Sequence, residues 1–582
     1  MVPPSPTRFM AGAGIEEITP YAGVPLGGHG PGGRIARGTW MPLYARAFYF
    51  EDDEGRAVAL VSCDLFAIPG ALRAEVVRRV NESKKRLEPG ALILSATHTH
   101  HGPGNFLSVD AYNAVGSPLP HFDSNIFYFL ANHISRAVVA AIDDAQTHAK
   151  EDHELVLYSG HAPGIQRNRA ITAFYQNDSG VVQKVQDESW DAGSRCPDEV
   201  VRNCPRYLST DPTLKVLEIK RAGTRRAVLV FYAVHPTAMN NTSELYSPDF
   251  TGVAMKQIEM TEEHPIAGFF NGAEGDVSPD WKDQDREDVL DLGGAFAKAV
   301  SKLLETTTTT RDVSVERRRD VKIKVLWNSV KQKTPEWSRV GFTPPEPGAG
   351  EPGGAEDGRT VFYNYGFRGE VRKRGARDPK APLLEQPIRD LVDAFELPRA
   401  VTRPALAFLK VKPDSFPNEF PVARVELSPL VTFAAIPVEA TTIVGRRIRE
   451  RIPGNPIVLG LSNEYFGYAV TEKEYALQQY EGASTELGPD EAEGIIKLLM
   501  NVHAEKPDLR VDKQTFKPGV WRKQTFGLDL PLLRVPRNTI DDDLQPLYPE
   551  NLRRLESRVP RFVWTEDMSG DERQADRRVS VY

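Results

Sequence analysis

The chain is 582 residues long, with 80 acidic and 72 basic side chains, a formal net charge of −8, 40% hydrophobic and 26% charged residues. Those proportions suit an ordinary globular protein and exclude a disordered or fibrous one; at about 150 residues per domain the length holds two to four domains, or one large α/β enzyme. No basic stretch is long enough to neutralise several phosphates at once, so nucleic acid is not an expected partner.

No window approaches the roughly 18 consecutive apolar residues of a membrane-spanning helix, and the opening MVPPSPTRFM lacks the apolar centre of a secretory signal. The expectation is a chain with no transmembrane segment and no export address. Cys63, Cys196 and Cys204 are too few for a disulfide framework and show no C-x-x-C spacing, so a bound metal would need histidines and carboxylates. Cys196 and Cys204 lie close together in a polar loop, where a bridge is one reading and free thiols the other.

In chain order, apolar runs at 58–62 and 91–95 have strand length and flank a helical pattern at 72–87, in which Leu72, Val76 and Val80 recur every four residues. A second amphipathic pattern runs over 125–146 through Ile126, Leu130, Ile134 and Val138, behind an Asp123 or Ser124 cap. Further strands are expected at 227–234, 266–270, 431–436 and 457–461. This is βαβ rhythm, and ligand-binding groups in such sheets gather on loops beyond the strand C-termini. Residues 343–358, TPPEPGAGEPGGAEDG, have too little apolar content to pack and read as a flexible insertion.

Polar motifs follow those strands. The run at 91–95 leads into Thr97-His98-Thr99-His100-His101-Gly102-Pro103-Gly104; the two-residue strand repeat would put His98 and His100 on one side, as a metal ligand plus a second polar contact or as a pair of surface histidines. The strand at 228–234 closes on His235-Pro236-Thr237, where a histidine read alone is more often a satisfied structural residue than a ligand. The third is Gly268-Phe269-Phe270-Asn271-Gly272-Ala273-Glu274-Gly275-Asp276-Val277-Ser278-Pro279-Asp280, where glycine permits a tight turn and proline holds Ser278 extended; read alone it is equally a strand-to-helix turn with a capping serine. The fourth joins Glu439-Ala440-Thr441-Thr442, read as the first turn of a helix running through Arg449, to Asn463-Glu464-Tyr465-Phe466-Gly467-Tyr468.

Together these segments resemble the neutral, non-lysosomal ceramidases. The likeness begins at Ala11-Gly12-Ala13-Gly14, Ile18-Thr19-Pro20 and Leu43-Tyr44-Ala45-Arg46-Ala47-Phe48, and passes through the T-H-T-H-x-G-P-G run, Asn168-Arg169, Val234-His235-Pro236-Thr237 and Gly275-Asp276-Val277-Ser278-Pro279. It ends with Glu439-Ala440-Thr441-Thr442, Gly445-Arg446-Arg447 and the tyrosine-rich stretch 465–480 before Glu481-Gly482-Ala483-Ser484, covering roughly residues 11–490.

The resemblance implies a zinc-dependent amidohydrolase that splits ceramide, presented at a membrane surface, into a sphingoid base and a fatty acid. It implies zinc ligation by His98, His235, Glu439 and Tyr468, an essential Ser278, and His100, Arg169 and Tyr480 near the scissile amide. Asp64 and Asp276 are candidates for orienting a ligand imidazole. The implied fold is α/β, a mixed sheet flanked by helices in one catalytic domain over 11–500, followed at 501–582 by an incomplete C-terminal module, a partial β unit. Family members are commonly exported or surface-bound, in tension with the missing signal. The chain departs from the family pattern at His101, at Asp280 and in the short spacing from Glu439 to Tyr468. Rival readings are a hydrolase of another N-acyl lipid or N-acyl amino compound, a non-catalytic lipid-binding homologue and, more weakly, a phosphoesterase.

Overall fold

In the computed structural model the described residues are 9–360 and 415–503, apart from 84, 86, 110–111, 114–115, 120–121, 196–203 and 349, together with residue 363 and the strands Phe562–Thr565 and Arg578–Val581. The expected C-terminal module over 501–582 lies almost wholly outside them, as does Cys196 and with it the expected bridge to Cys204. The two late strands pair with each other, antiparallel. Cys63 is a buried free thiol.

Among the described residues, three open sheets of four or five strands, rather than a single one, carry the α/β architecture. The first runs in the order Met10–Glu17, Tyr44–Glu51, Ala57–Cys63, Leu92–Ala96, antiparallel except for its last, parallel pair. Helix Gly70–Glu82 connects that pair and buries Leu72, Val76 and Val80, as their spacing predicts. Helix Ser124–Thr147 begins at Asp123, whose carboxylate accepts from the amides of Asn125 and Ile126. Its length and apolar content alone would suit membrane crossing, but much of its surface is spent on the first sheet. Gly12 and Gly14 allow this close seat, since a Cβ there would lie 2.4 Å from the Ala141 carbonyl and 2.3 Å from that of Ala137.

The second sheet runs Ile266–Asn271, Thr224–Tyr232, Thr213–Arg221, His153–His161, Ser314–Arg318, and again has one parallel pair, Thr224–Tyr232 with Ile266–Asn271. Helix Asp249–Glu259 joins that pair and packs beside Arg286–Leu304. The third runs Lys322–Lys331, Glu419–Ser428, Val431–Ala435, Ile457–Leu459, with its last two strands parallel and joined through helix Thr442–Arg451. The helical pattern ahead of Arg449 is therefore real, but Glu439 precedes the helix instead of opening it.

The inner faces of the three sheets meet in one core: Phe48, Leu60 and Ile93 from the first, Leu217, Phe231 and Phe270 from the second, Val425, Phe433 and Leu459 from the third. Phe231 is the hinge of this packing, its ring 5.4 Å from Phe270 and 5.3 Å from Phe433 between centroids. Burying each such side chain contributes about 1.5–3 kcal/mol, so the junction is a main source of stability. Because each sheet has a helix-connected parallel pair, six strands send their C-terminal loops toward a shared site.

Residues 343–358 differ from their expectation as a flexible insertion. They form short 3₁₀ turns at Glu351–Gly353 and Glu356–Gly358 and are tied down by backbone bonds from Thr343 to Leu487, Glu346 to Glu486 and Gly348 to Ala483. Hydrogen bonds rather than apolar side chains hold the segment, and hydropathy does not register them.

Candidate metal centre

Leu92–Ala96 ends two residues before His98, Thr224–Tyr232 three before His235, and Val431–Ala435 four before Glu439. The three side chains, from three sheets, converge. One carboxylate oxygen, Glu439 Oε2, lies 3.0 Å from His235 Nε2 and 3.3 Å from His98 Nε2. His98 Nδ1 donates to the Phe66 carbonyl at 2.5 Å, and His235 Nδ1 to the carbonyls of Glu274 and Val277 at 2.8 and 3.1 Å. Those bonds fix both tautomers, so both Nε2 lone pairs face Glu439.

Tyr468 is paired in parallel with Glu439 in a two-residue ladder, which brings its hydroxyl 3.3 Å from His235 Nε2. The Glu439–Tyr468 spacing is thus spanned by helix Thr442–Arg451 and strand Ile457–Leu459 between the two paired residues. Arg169 Nη2 donates to the same hydroxyl at 2.8 Å, and the Tyr480 ring stands edge-on to Tyr468 at 5.4 Å. Tyr465 donates to the other oxygen, Glu439 Oε1, at 2.7 Å.

His100 Nε2 lies 3.2 Å from His98 Nε2, and the ligand atoms of His98, His100 and His235 are all within 4.8 Å of one another. Strand alternation is not the reason. The strand has ended, and His98 adopts a left-handed φ of 76°, which folds the chain back so that the two rings meet edge to face. On its far side His100 Nδ1 is 3.4 Å from His29 Nδ1.

Ser278, fully buried, donates its hydroxyl proton to Asp357. The two candidates for orienting an imidazole do other work. Asp64 accepts from the Tyr44 amide and Arg46, bracing the first sheet, while Asp276 accepts from Thr442 and Asn168 and so locks the Glu439-Ala440-Thr441-Thr442 segment against the Ser278 turn. Backbone carbonyls orient the imidazoles instead. Of the departures from the pattern, His101 is buried and donates to the Asn240 carbonyl at 3.0 Å, and Asp280 accepts from Arg167 and Tyr207.

Burial works to raise the Glu439 carboxyl, but His98 and His235, when protonated at Nε2, hold it well below the usual carboxylate range. Burial first and the Arg169 charge second push His235 down to about 4; burial and the neighbouring imidazoles depress His100 as well. Burial and Glu439 raise the Tyr468 phenol, and Arg169 stays charged because Tyr468, Asp357 and Glu481 outweigh its burial. Two inward lone pairs, one ionised carboxylate and a nearby third imidazole fit a divalent transition metal, which prefers neutral nitrogens and anionic oxygen.

The chain matches the family model of the neutral/alkaline non-lysosomal ceramidase N-terminal domain over residues 9–290 and 328–497. It belongs to that family. It is 26% identical over 557 residues to neutral ceramidase A of Dictyostelium discoideum, covering 83% of this chain and 70% of that one. To the neutral ceramidase of Pseudomonas aeruginosa it is 26% identical over 569 residues, covering 88% and 76%. The crystal structure of the Pseudomonas aeruginosa neutral ceramidase superposes with a TM-score of 0.61 at 21% identity, covering 87% of this chain and 77% of that one, and shares its fold. A ceramidase complexed with C2 gives a TM-score of 0.64 at 22% identity, covering 87% and 78%. This ceramidase-family chain is accordingly a hydrolase of amide bonds.

All eight sequence-derived site residues gather in this region, joined by contacts through Glu439, Arg169 and Asp357. Three neighbours have no strong sequence signal. His29 follows two glycines in a loop, Tyr465 is one of several tyrosines in its stretch, and Asp357 sits in the text read as an unpacked insertion.

Proposed function

We propose that this ceramidase-family chain is a zinc-dependent hydrolase of ceramide, releasing a sphingoid base and a fatty acid from a lipid presented at a membrane surface. The observation that carries the reading is the sharing of one Glu439 oxygen between His235 Nε2 and His98 Nε2, at 3.0 and 3.3 Å. Zinc, when bound, supplies Lewis acidity toward the amide carbonyl and brings the pKa of water to about 7.

His98, His235 and Glu439 hold the ion, with the Tyr468 hydroxyl as fourth donor. Arg169 and Tyr480 stabilise the negative charge that develops on the carbonyl oxygen, a contribution of about 10²–10³ in rate for one donor. His100 carries a proton from the nucleophile to the leaving nitrogen, since its low basicity keeps it neutral at rest. Ser278 acts beside the scissile bond, and hydroxylamine trapping during turnover distinguishes its attack, by an acyl hydroxamate, from attack by water.

The test is elemental analysis together with fatty-acid release from ceramide and from N-acyl amino acids, before and after chelation. Stoichiometric zinc, preference for ceramide and recovery on adding zinc back are expected. Full activity in a metal-free preparation would overturn the metal assignment, and preference for the N-acyl amino acids would overturn the substrate.

A further inference from the structure

We infer that Asp357 is a positioning residue that holds Ser278 as a hydrogen-bond acceptor for a donor group of the substrate. The inference rests on the reading of this site as a ceramidase centre and extends it.

Asp357 is 4% exposed, at the middle of the Glu356–Gly358 turn. Its Oδ1 accepts from Ser278 Oγ and, at 3.3 Å, from Trp281 Nε1; its Oδ2 accepts from Arg169 Nη1 and from Thr237 Oγ1, each at 2.9 Å. Gln284 Nε2 holds the backbone by donating to the Asp357 carbonyl at 2.9 Å. Four donors thus define the position of one carboxylate, each of its oxygens doubly engaged, and a fifth holds its backbone.

Burial works against its ionisation, yet Arg169 foremost keeps it below the usual carboxylate range. An ionised carboxylate only accepts, so the Ser278 proton is committed to it. What the serine can still offer is its lone pairs, and their natural partner is a donor. An N-acyl amino alcohol carries such donors around its carbonyl: the amide N–H and the hydroxyls of the base. The same network explains why the carboxylate is a weak proton acceptor for this serine: with Arg169 on Oδ2 and four donors satisfied, taking up a proton would break the arrangement. Asp357 also steadies Arg169, whose Nη2 donates to Tyr468, so one turn orients both Ser278 and Arg169.

The experiment compares Asp357→Asn, Ser278→Ala and the double variant for kcat/KM on ceramide and for bound zinc. Loss of a hydrogen bond to a charged group predicts about a 10- to 100-fold fall for Asp357→Asn. Zinc content should be unchanged, and the double variant should be no slower than Ser278→Ala alone. Multiplying effects in the double variant, or wild-type kcat/KM in Asp357→Asn, would overturn the inference. A substrate-side measurement does not depend on the Asp357 variant folding. Ceramide analogues methylated on the amide nitrogen or on either hydroxyl are compared in wild type and Ser278→Ala. Discrimination against one analogue in wild type that disappears in Ser278→Ala supports the acceptor role, and undiminished discrimination against every analogue refutes it. If wild type itself neither holds zinc nor hydrolyses ceramide, the functional reading fails instead, whatever the variants do.

Discussion

His235 and Glu439 are 204 positions apart in the chain, and their Nε2 and Oε2 atoms lie 3.0 Å apart. The histidine follows a strand of the second sheet and the glutamate a strand of the third, so their meeting depends on how two sheets pack across Phe231 and Phe433. On the proposed reading, metal binding and folding are linked: an ion held between these loops would bridge the two sheets and stabilise the folded state by mass action.

Removing one imidazole is the most direct test of the centre. His98→Ala should bind no stoichiometric zinc by elemental analysis and should lose nearly all ceramide hydrolysis. A variant that retained a full equivalent of zinc would show that His98 is not a ligand.

Tyr465 touches the proposed metal only through Glu439. Tyr465→Phe keeps the ring against Tyr112 and Phe66 but deletes the bond to Glu439 Oε1. Loss of such an outer partner typically weakens metal affinity about 10- to 100-fold. Competition against a graded chelator would report the change, and wild-type affinity would deny the tyrosine any role in orienting the carboxylate.

Gly275 has no room for a side chain: a Cβ would lie 2.6 Å from the Glu439 carbonyl oxygen and 3.0 Å from that of Ala440. Gly275→Ala must push the Glu439 strand away from His235. The expected cost is about 1–3 kcal/mol of stability, seen as a lower denaturant midpoint, with zinc bound more weakly than in wild type.

His101 is wholly buried, and burial holds its pKa down at about 4 against an ordinary 6.5. The folded state therefore takes up the proton less readily than the unfolded chain. Its contribution to stability is intact above about 6.5 and is lost as pH falls through about 4, amounting to about 3 kcal/mol for a 2.5-unit difference. Metal-free protein should lose melting temperature steadily across that window. His101→Gln, which keeps a donor for the Asn240 carbonyl, should show a shallower decline, and equal slopes in both proteins would assign the acid sensitivity to other groups.

Much of this protein is legible from local text. Leu72, Val76 and Val80 announce a helix because the periodicity of burial is written within a dozen residues, and Asp123 announces its cap because its partners are two and three positions away. Histidines closing apolar strands mark the site for the same reason, since βαβ units deliver strand ends to one edge. Other features depend on partners far along the chain. Whether the apolar strands make one sheet or three is decided by their packing around Phe231, and a strand pattern does not encode which sheet it joins. His98 and His100 converge through a left-handed turn that no two-residue repeat describes. Asp64 orients no imidazole because Arg46 and the Tyr44 amide claim it first.

Asp357 marks the boundary most clearly: its segment is poor in apolar residues, so hydropathy assigns it no place, yet five donor side chains hold it inside. Sequence by itself determined which chemical groups the chain carries and which helices and strands present them, because those follow from short-range periodicity and residue type. Tertiary structure alone decided which of those groups meet, because pairing a buried charge is a long-range transaction whose partners must be present before the burial is favourable.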